Sequence, residues 1–474
     1  MNMKTIFLGI ITLSASVAVA QKTCCAIRNI NVIPMTSETI LQDQTIIIED
    51  GIITRTGPSG STNIPENKIV IEGKNRYTIP GLFDMHAHFF EEQGNHKDTK
   101  EEELKVMLAN GLTTVRIMAG HPNYLAAKEN VSSKKWIGPE MFVVSPQFVG
   151  KWPWSPAFKN YEVVNSVDKA RQAVARFKRE GYDEIKLTFM IVREVYDAVI
   201  AAAKEHNIKV TGHVGPQVKL DAALAAGQQI EHMDEFIDLL LPDTSYNHGQ
   251  SVSDMNIWKE NAWKTVPYLD ETKIDMLVEK VKQANISVTP TNYFFFSSFG
   301  IGMSDEEYKS KPDYRFIPED LKKERWLIKE HYQKLNIPQE SRERYVALRQ
   351  KITRSLWEAG VPLMAGSDSP EWFLVQGFAI HDELKTFTDA GLTPYAALQT
   401  ATVNTARYLD IDDKKGTIEP GKEADILILD KNPLENISNT RTINGIINNG
   451  VYYDTSSIDK MLKDAQAILS NSQE

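Results

Sequence analysis

From Gly81 onward, short apolar runs alternate with helical stretches eight times, and this rhythm constrains the fold more than any other feature. The runs are Leu82 to His88, Thr114 to Met118, Met141 to Ser145, Glu184 to Leu187, Lys209 to His213, Gln229 to His232, Ile286 to Pro290 and Val361 to Ala365. Between them, the stretches Val167 to Glu180 and Leu220 to Ala226 carry helical patterns that stop at Gly181 and Gly227, as helices closed by a left-handed glycine do. Eight strands separated by helices predict an α/β fold of the (β/α)8 TIM-barrel type.

The flanks of this region read differently. Thr45 to Glu49 meets Asp50-Gly51 and then Ile52 to Thr54, a hairpin pattern, and Ile69 to Ile71 is a further short strand. Beyond the barrel, Gly416 to Gly421, Ala424 to Leu429 and Thr442 to Ile447 return to strands and turns. The expected organisation is a discontinuous β-sandwich domain from 21–80 and 409–456, a barrel over 81–408, and a tail or helix over 457–474. A charged, aromatic and mostly helical insert, 303–357, separates the last two barrel strands. It follows the seventh strand and so emerges on the same side as the strand ends, either as a lid or as a contact between copies of the chain.

The first twenty residues describe a secretory signal peptide: Lys4, the apolar run Ile6 to Ala20, and an Ala-x-Ala end at Ala18-Val19-Ala20. Cleavage after Ala20 predicts a secreted or periplasmic protein. The run is shorter than the ~20 residues a membrane span needs, and no later segment qualifies. The two cysteines, Cys24 and Cys25, are adjacent; a bond between them would be strained, and the body of the fold has neither a disulfide nor a thiol nucleophile. With 53 basic against 63 acidic residues and a net charge of -10, no basic surplus meets nucleic-acid phosphates.

Function is written at the strand ends. Side chains alternate along a strand, so His86 and His88 face the same way with Asp84 beside them, half of a zinc site. Lys186 ends the fourth strand, His213 the fifth, His232 the sixth, and Asp368 follows the eighth. Each alone has a structural explanation as a surface lysine, a cap or a core histidine. In a barrel, however, the C-terminal ends converge on one mouth, and six such residues together point to a metal centre.

The segments Pro80 to His88, Ile185-Lys186, Gly212-His213, Ile230-Glu231-His232 and Gly366-Ser367-Asp368, with the tail Gly416 to Asp425, resemble the amidohydrolase superfamily across about residues 26–455. Within it the chain is most similar to the imidazolonepropionase-related group that includes binuclear metal-dependent dipeptidases of the Xaa-Pro and Xaa-Arg kind. The resemblance implies two divalent metal ions, zinc foremost. His86, His88 and Asp368 would hold the more buried ion and His213 and His232 the more exposed one, with a carbamate on Lys186 between them. It further implies a metal-bridging hydroxide that attacks an amide carbonyl, and Asp368 as general base and then acid. The expected substrate is a dipeptide or small N-acyl compound. Asp84 reads as a partner of a ligand rather than a ligand.

The rival readings are a mononuclear deaminase or a cyclic-amide hydrolase, and a non-catalytic barrel used for binding or assembly. Deaminases of the superfamily usually place a Glu a few residues after the fifth-strand His and lack the ligand lysine. Here Val214-Gly215-Pro216-Gln217 follows His213, and Lys186 is present. Non-catalytic relatives lose ligands, and this chain keeps all six. Candidate substrate contacts are Tyr293 after the seventh strand, His381 soon after Asp368, and Arg116 on the second strand, the last balanced against a structural ion pair. Trp152 and Trp154, and the run Phe294 to Phe296, are candidate aromatic walls.

Overall fold

The computed structural model describes residues 25–470, apart from 67, 94–97, 151–159, 189, 190, 216, 243–265 and 299–301. The expected signal peptide, Cys24, Trp152 and Trp154 lie outside the described residues.

Both flanks of the sequence enter one hydrogen-bonded sheet. Its strands are ordered Val451–Asp454, Ile443–Asn448, Ile426–Leu429, Tyr77–Pro80, Cys25–Val32, Leu41–Glu49 and Ile52–Pro58, and Ile69–Glu72 also pairs with Cys25–Val32. The seam between the flanks is antiparallel, with Leu427 opposite Ile79 and Ile428 opposite Thr78. Alternation along Ile426–Leu429 divides its side chains: Ile426 and Ile428 join the core of this sheet, while Leu427 and Leu429 join the core of the barrel. The hairpin at Asp50-Gly51 has the positive φ at both residues, 50° and 81°, that a two-residue turn of this twist requires.

The barrel strands run parallel in two groups. Leu82–Ala87, Leu112–Ile117 and Glu140–Val143 form one; Glu184–Leu187, Lys209–Gly212, Gln229–Glu231 and Val288–Thr289 belong to the other. A parallel bridge from Val144 to Glu184 joins them. The eighth segment holds its place by isolated bridges, Leu363 to Val288 on one side and Ser369 to Ala87 on the other. Its N–H groups are shared between neighbours: Met364 donates to Val288 O, whereas Ala365 donates to Thr400 O outside the barrel. That division explains why the run Val361 to Ala365 makes no continuous strand.

Other departures have similar local causes. The stretch Pro394 to Tyr408 forms two helices, Pro394–Thr400 and Val403–Tyr408, and not one. At the break the carbonyls of Thr400 and Ala401 accept from Ala365 and Phe83 instead of continuing the helix. Two short strands, Gln147–Val149 and Tyr161–Val163, extend the second group beyond the third barrel strand. The insert contains the helices Asp305–Ser310, Glu319–Lys334 and Gln339–Glu358. Tyr308, Phe316, Ile317 and Leu321 pack with Trp372 and Phe373, just after Asp368, and with Phe90 and Leu469. The insert thus has its own apolar core, shared with the final helix Thr455–Leu469. No helix among the described residues is long and apolar enough to cross a membrane.

Candidate functional site

At the C-terminal ends of the strands, His86, His232 and Asp368 each bring a donor atom within 4.8 Å of the others, and all three are buried. Asp368 Oδ1 lies 3.5 Å from His86 Nε2 and 3.4 Å from His88 Nε2; its Oδ2 lies 3.7 Å from His232 Nδ1. His213, immediately after Lys209–Gly212, stacks on His232 with ring centroids 4.5 Å apart. Lys186 is 2% exposed on the neighbouring strand. Backbone strain gathers here: His232, Thr291 and Asp368 adopt positive φ of 67°, 49° and 55°, conformations rare outside glycine and common at functional sites.

Each first-strand histidine is oriented from behind. His86 Nδ1–H donates to Glu231 Oε2 at 2.7 Å and His88 Nδ1–H to Glu92 Oε2 at 2.7 Å, so both present Nε2 to Asp368. His232 Nδ1 is 2.8 Å from the Thr291 hydroxyl. Asp84 Oδ1 accepts from the N–H groups of His86 and Ser367, and Oδ2 from the Ser367 hydroxyl at 2.6 Å. It therefore braces the first and eighth segments from beneath. Burial pushes its carboxyl up to about 6.

Electrostatics keep three of the four imidazoles neutral, the form that carries a ring lone pair for a ligand. Burial, and then the positive charge of Lys186, hold the His86 and His213 imidazoles far below their ordinary range; burial, with His86 and His213 next, does the same to His232. Burial also pushes His88 down, but the Glu92 and Asp368 carboxylates outweigh it and raise the ring to about 10. Neutral imidazoles beside a carboxylate are the donor set of a zinc-type ion, and His88 marks a place where positive charge is stabilised.

Arg116 is not available to a substrate. It is wholly buried, pairing with Glu231 Oε1 at 2.5 Å and Glu184 Oε2 at 3.1 Å, and donating to Met85 O at 2.7 Å. Of the two roles weighed for it, the ion pair is the one the geometry contains. His381 also fails as a substrate contact. It is 1% exposed, donates from Nε2 to Asn110 O at 3.0 Å, and has Nδ1 2.9 Å from the Thr440 hydroxyl. Its helix turns that face toward the returning β region, away from the strand ends. Tyr293 stands at the start of the helix Asn292–Ser298, and its hydroxyl accepts from Lys311 of the insert at 3.0 Å. Phe295 is buried edge-on against His232, 5.9 Å between centroids, so it packs the site.

Three residues that the sequence reading passed over support the site. Glu92 lies one helical turn past His88. Arg349, on the insert helix Gln339–Glu358, is wholly buried and donates to His232 O at 2.6 Å, Pro290 O at 2.7 Å and Asn292 Oδ1 at 3.1 Å. Glu383 accepts the N–H groups of Asn292 and Tyr293 at 3.0 and 2.7 Å. The Glu92 spacing was readable; the other two have no local signal.

Comparison with known proteins fits this geometry. Residues 77–456 match the amidohydrolase family. The chain belongs to that family. A dihydroorotase of Ligilactobacillus salivarius is 24% identical to this amidohydrolase over 407 residues, 82% of this chain and 85% of that enzyme. A dihydroorotase of Halalkalibacterium halodurans is 31% identical over 104 residues, a match that spans only 22% of this chain and 23% of that relative. Among solved structures, a Xaa-Pro dipeptidase with bound methionine superposes with a TM-score of 0.65 at 20% identity, covering 91% of this chain and all of its own. At that identity the likeness is one of fold.

Proposed function

We propose that this amidohydrolase cleaves a C–N amide bond in a small substrate, a dipeptide or N-acyl compound, using two divalent metal ions. The observation that carries the reading is the convergence of buried His86, His232 and Asp368 within 4.8 Å. His86, His88 and Asp368 would hold one ion, and His213 and His232 the other. A carbamate on Lys186, which lies among these imidazoles, would be the anionic bridge between them. Bound divalent cations polarise a carbonyl oxygen and lower the pKa of water into the neutral range. Asp368 takes the proton of the attacking water and returns it to the leaving nitrogen, as base and then acid. Glu231 and Glu92 keep His86 and His88 in the tautomer that presents Nε2. Tyr293 would be a substrate contact, and the insert, whose apolar core includes Trp372 and Phe373 just after Asp368, would act as a lid over the strand ends.

A second reading, a cyclic amide as substrate, is supported by the dihydroorotase relatives, one of which spans most of the chain. Export is part of the proposal, and N-terminal sequencing of the mature protein beginning at Gln21 would support it. The functional test is a screen of metal-loaded enzyme against dipeptides, N-acyl amino acids and cyclic amides. Hydrolysis of an open amide supports the first reading and ring opening alone the second. Protein that binds no divalent metal and cleaves none of them contradicts both.

A further inference from the structure

A cavity of about 260 Å³ lies inside the helical insert, between the helix Asn292–Ser298 and Trp372. None of His86, His88, Lys186, His213, His232 or Asp368 lines it. Its walls include the cations Arg342 and Lys329, the polar Ser304 and Gln333, and the apolar Met303, Ile337 and Trp372.

The two cations differ. Lys329 is buried, and its ammonium is paired with Asp305 and lies 5.6 Å from the Tyr308 ring centroid, so its charge is met. Arg342 is half-buried, and its Nε is enclosed with no acceptor among the described residues. Burial alone acts on its guanidinium, pressing it below its ordinary range with no carboxylate opposing. A half-buried guanidinium with no carboxylate partner among the described residues offers an incoming anion a charge-assisted pairing.

We propose that this cavity binds a small monocarboxylate with an apolar body, held by Arg342. One unmatched positive charge calls for a monoanion rather than a dianion. A planar guanidinium fork matches a carboxylate through two parallel N–H donors. Met303, Ile337 and Trp372 then face the apolar remainder of the acid. The volume is just below the ~300–1,000 Å³ of pockets for drug-sized ligands, which sets the occupant's size. The walls belong to segments that serve the metal centre. Trp372 Nε1 donates to Tyr308 OH at 2.7 Å, and Tyr308 OH donates to Ser297 O at 2.6 Å. This chain ties the segment after Asp368 to the helix after Thr291, and an occupant would touch both.

The test titrates acetate, 3-methylbutanoate and phenylacetate against metal-loaded protein and against protein stripped by a chelator. 3-Methylbutanamide is the neutral control, and calorimetry is the readout. The proposal expects saturable binding of one of these acids in both metal states and none of the amide. Arg342→Gln should weaken binding at least tenfold and Arg342→Lys by less, with circular dichroism unchanged. Acid binding that survives Arg342→Gln intact, that disappears with the metal, or that is absent for all three acids overturns it. The acid has two sources, and kinetics separate them. If Arg342→Gln raises KM for a substrate bearing a carboxylate but not for its amidated form, the pocket receives the substrate's own acid end. If KM is unchanged for both while acid binding is lost, the occupant is a separate acid. Neither result depends on which amide the metal centre cleaves.

Discussion

Replacing Glu231 by Gln removes one charge at the point where His86 of the proposed metal site meets the buried arginine. Glu231 is wholly buried, and both its oxygens are committed: Oε2 to His86 Nδ1 at 2.7 Å, Oε1 to Arg116 Nη2 at 2.5 Å and Thr211 Oγ1 at 2.7 Å. The isosteric amide keeps the volume and loses the charge. Loss of a carboxylate behind a metal-binding imidazole typically weakens metal binding by about 10–100-fold, or roughly 1.4–2.7 kcal/mol. Arg116 loses its shorter partner as well. Breaking a buried pair costs roughly 3–5 kcal/mol, and because Glu184 stays 3.1 Å away the lower end applies. Glu184→Gln is the control. Glu184 touches Arg116 and Tyr408, 2.9 Å from its hydroxyl, but makes no contact with His86, so it should cost stability and spare the metal. The assay is competition for zinc against a chromophoric chelator, with denaturant unfolding in parallel. Zinc affinity within twofold of wild type in Glu231→Gln, or an equal loss in Glu184→Gln, would refute the positioning argument.

Arg349→Met leaves the buried carbonyls of His232 and Pro290 without their donor; at roughly 1–3 kcal/mol each the expected loss is about 2–6 kcal/mol, and denaturant midpoints that do not move would contradict it. Gly212→Ala should be destabilising by about 1–3 kcal/mol, because φ is 122° and an added Cβ would sit 2.3 Å from Leu187 O and 3.1 Å from Lys186 Cδ; wild-type stability in that variant is the opposing result. Burial raises the Glu103 carboxyl from 4.5 to about 8. The native state therefore keeps a proton that the unfolded chain has released. The associated stability is fully present below about pH 4.5 and is lost toward pH 8, at up to roughly 1.4 kcal/mol per unit. Glu103→Gln should flatten stability over that range, and an unaltered slope would count against the burial argument.

How much of this could be read from the chain depends on whether the signal is local. The strands ending in His86, Lys186, His213 and His232 stood out because each is a buried apolar run with a chemical residue at its end. The barrel and its converging mouth followed from their order. The irregular pairing of the eighth segment and the break at Thr400–Ala401 were not legible, because both depend on carbonyls and N–H groups shared between elements distant in sequence. Strands of three residues, such as Gln147–Val149, are too short to show a period. Arg116 and His381 looked available because they stand near strand ends and Asp368. Their partners Glu231, Glu184, Asn110 and Thr440 come together only in three dimensions. Arg349 and Glu383 were missed for the same reason: a helix far along the chain reaches back to hold His232 and the start of the Asn292–Ser298 helix.

The central claim is a binuclear centre bridged through Lys186, and metal stoichiometry tests it most directly. Purified protein, reconstituted with zinc in bicarbonate buffer, should contain two divalent ions per chain by elemental analysis. Lys186→Ala should fall to one or fewer and lose hydrolysis. Two ions at full activity in Lys186→Ala, or no bound metal in the wild-type protein, would contradict the account.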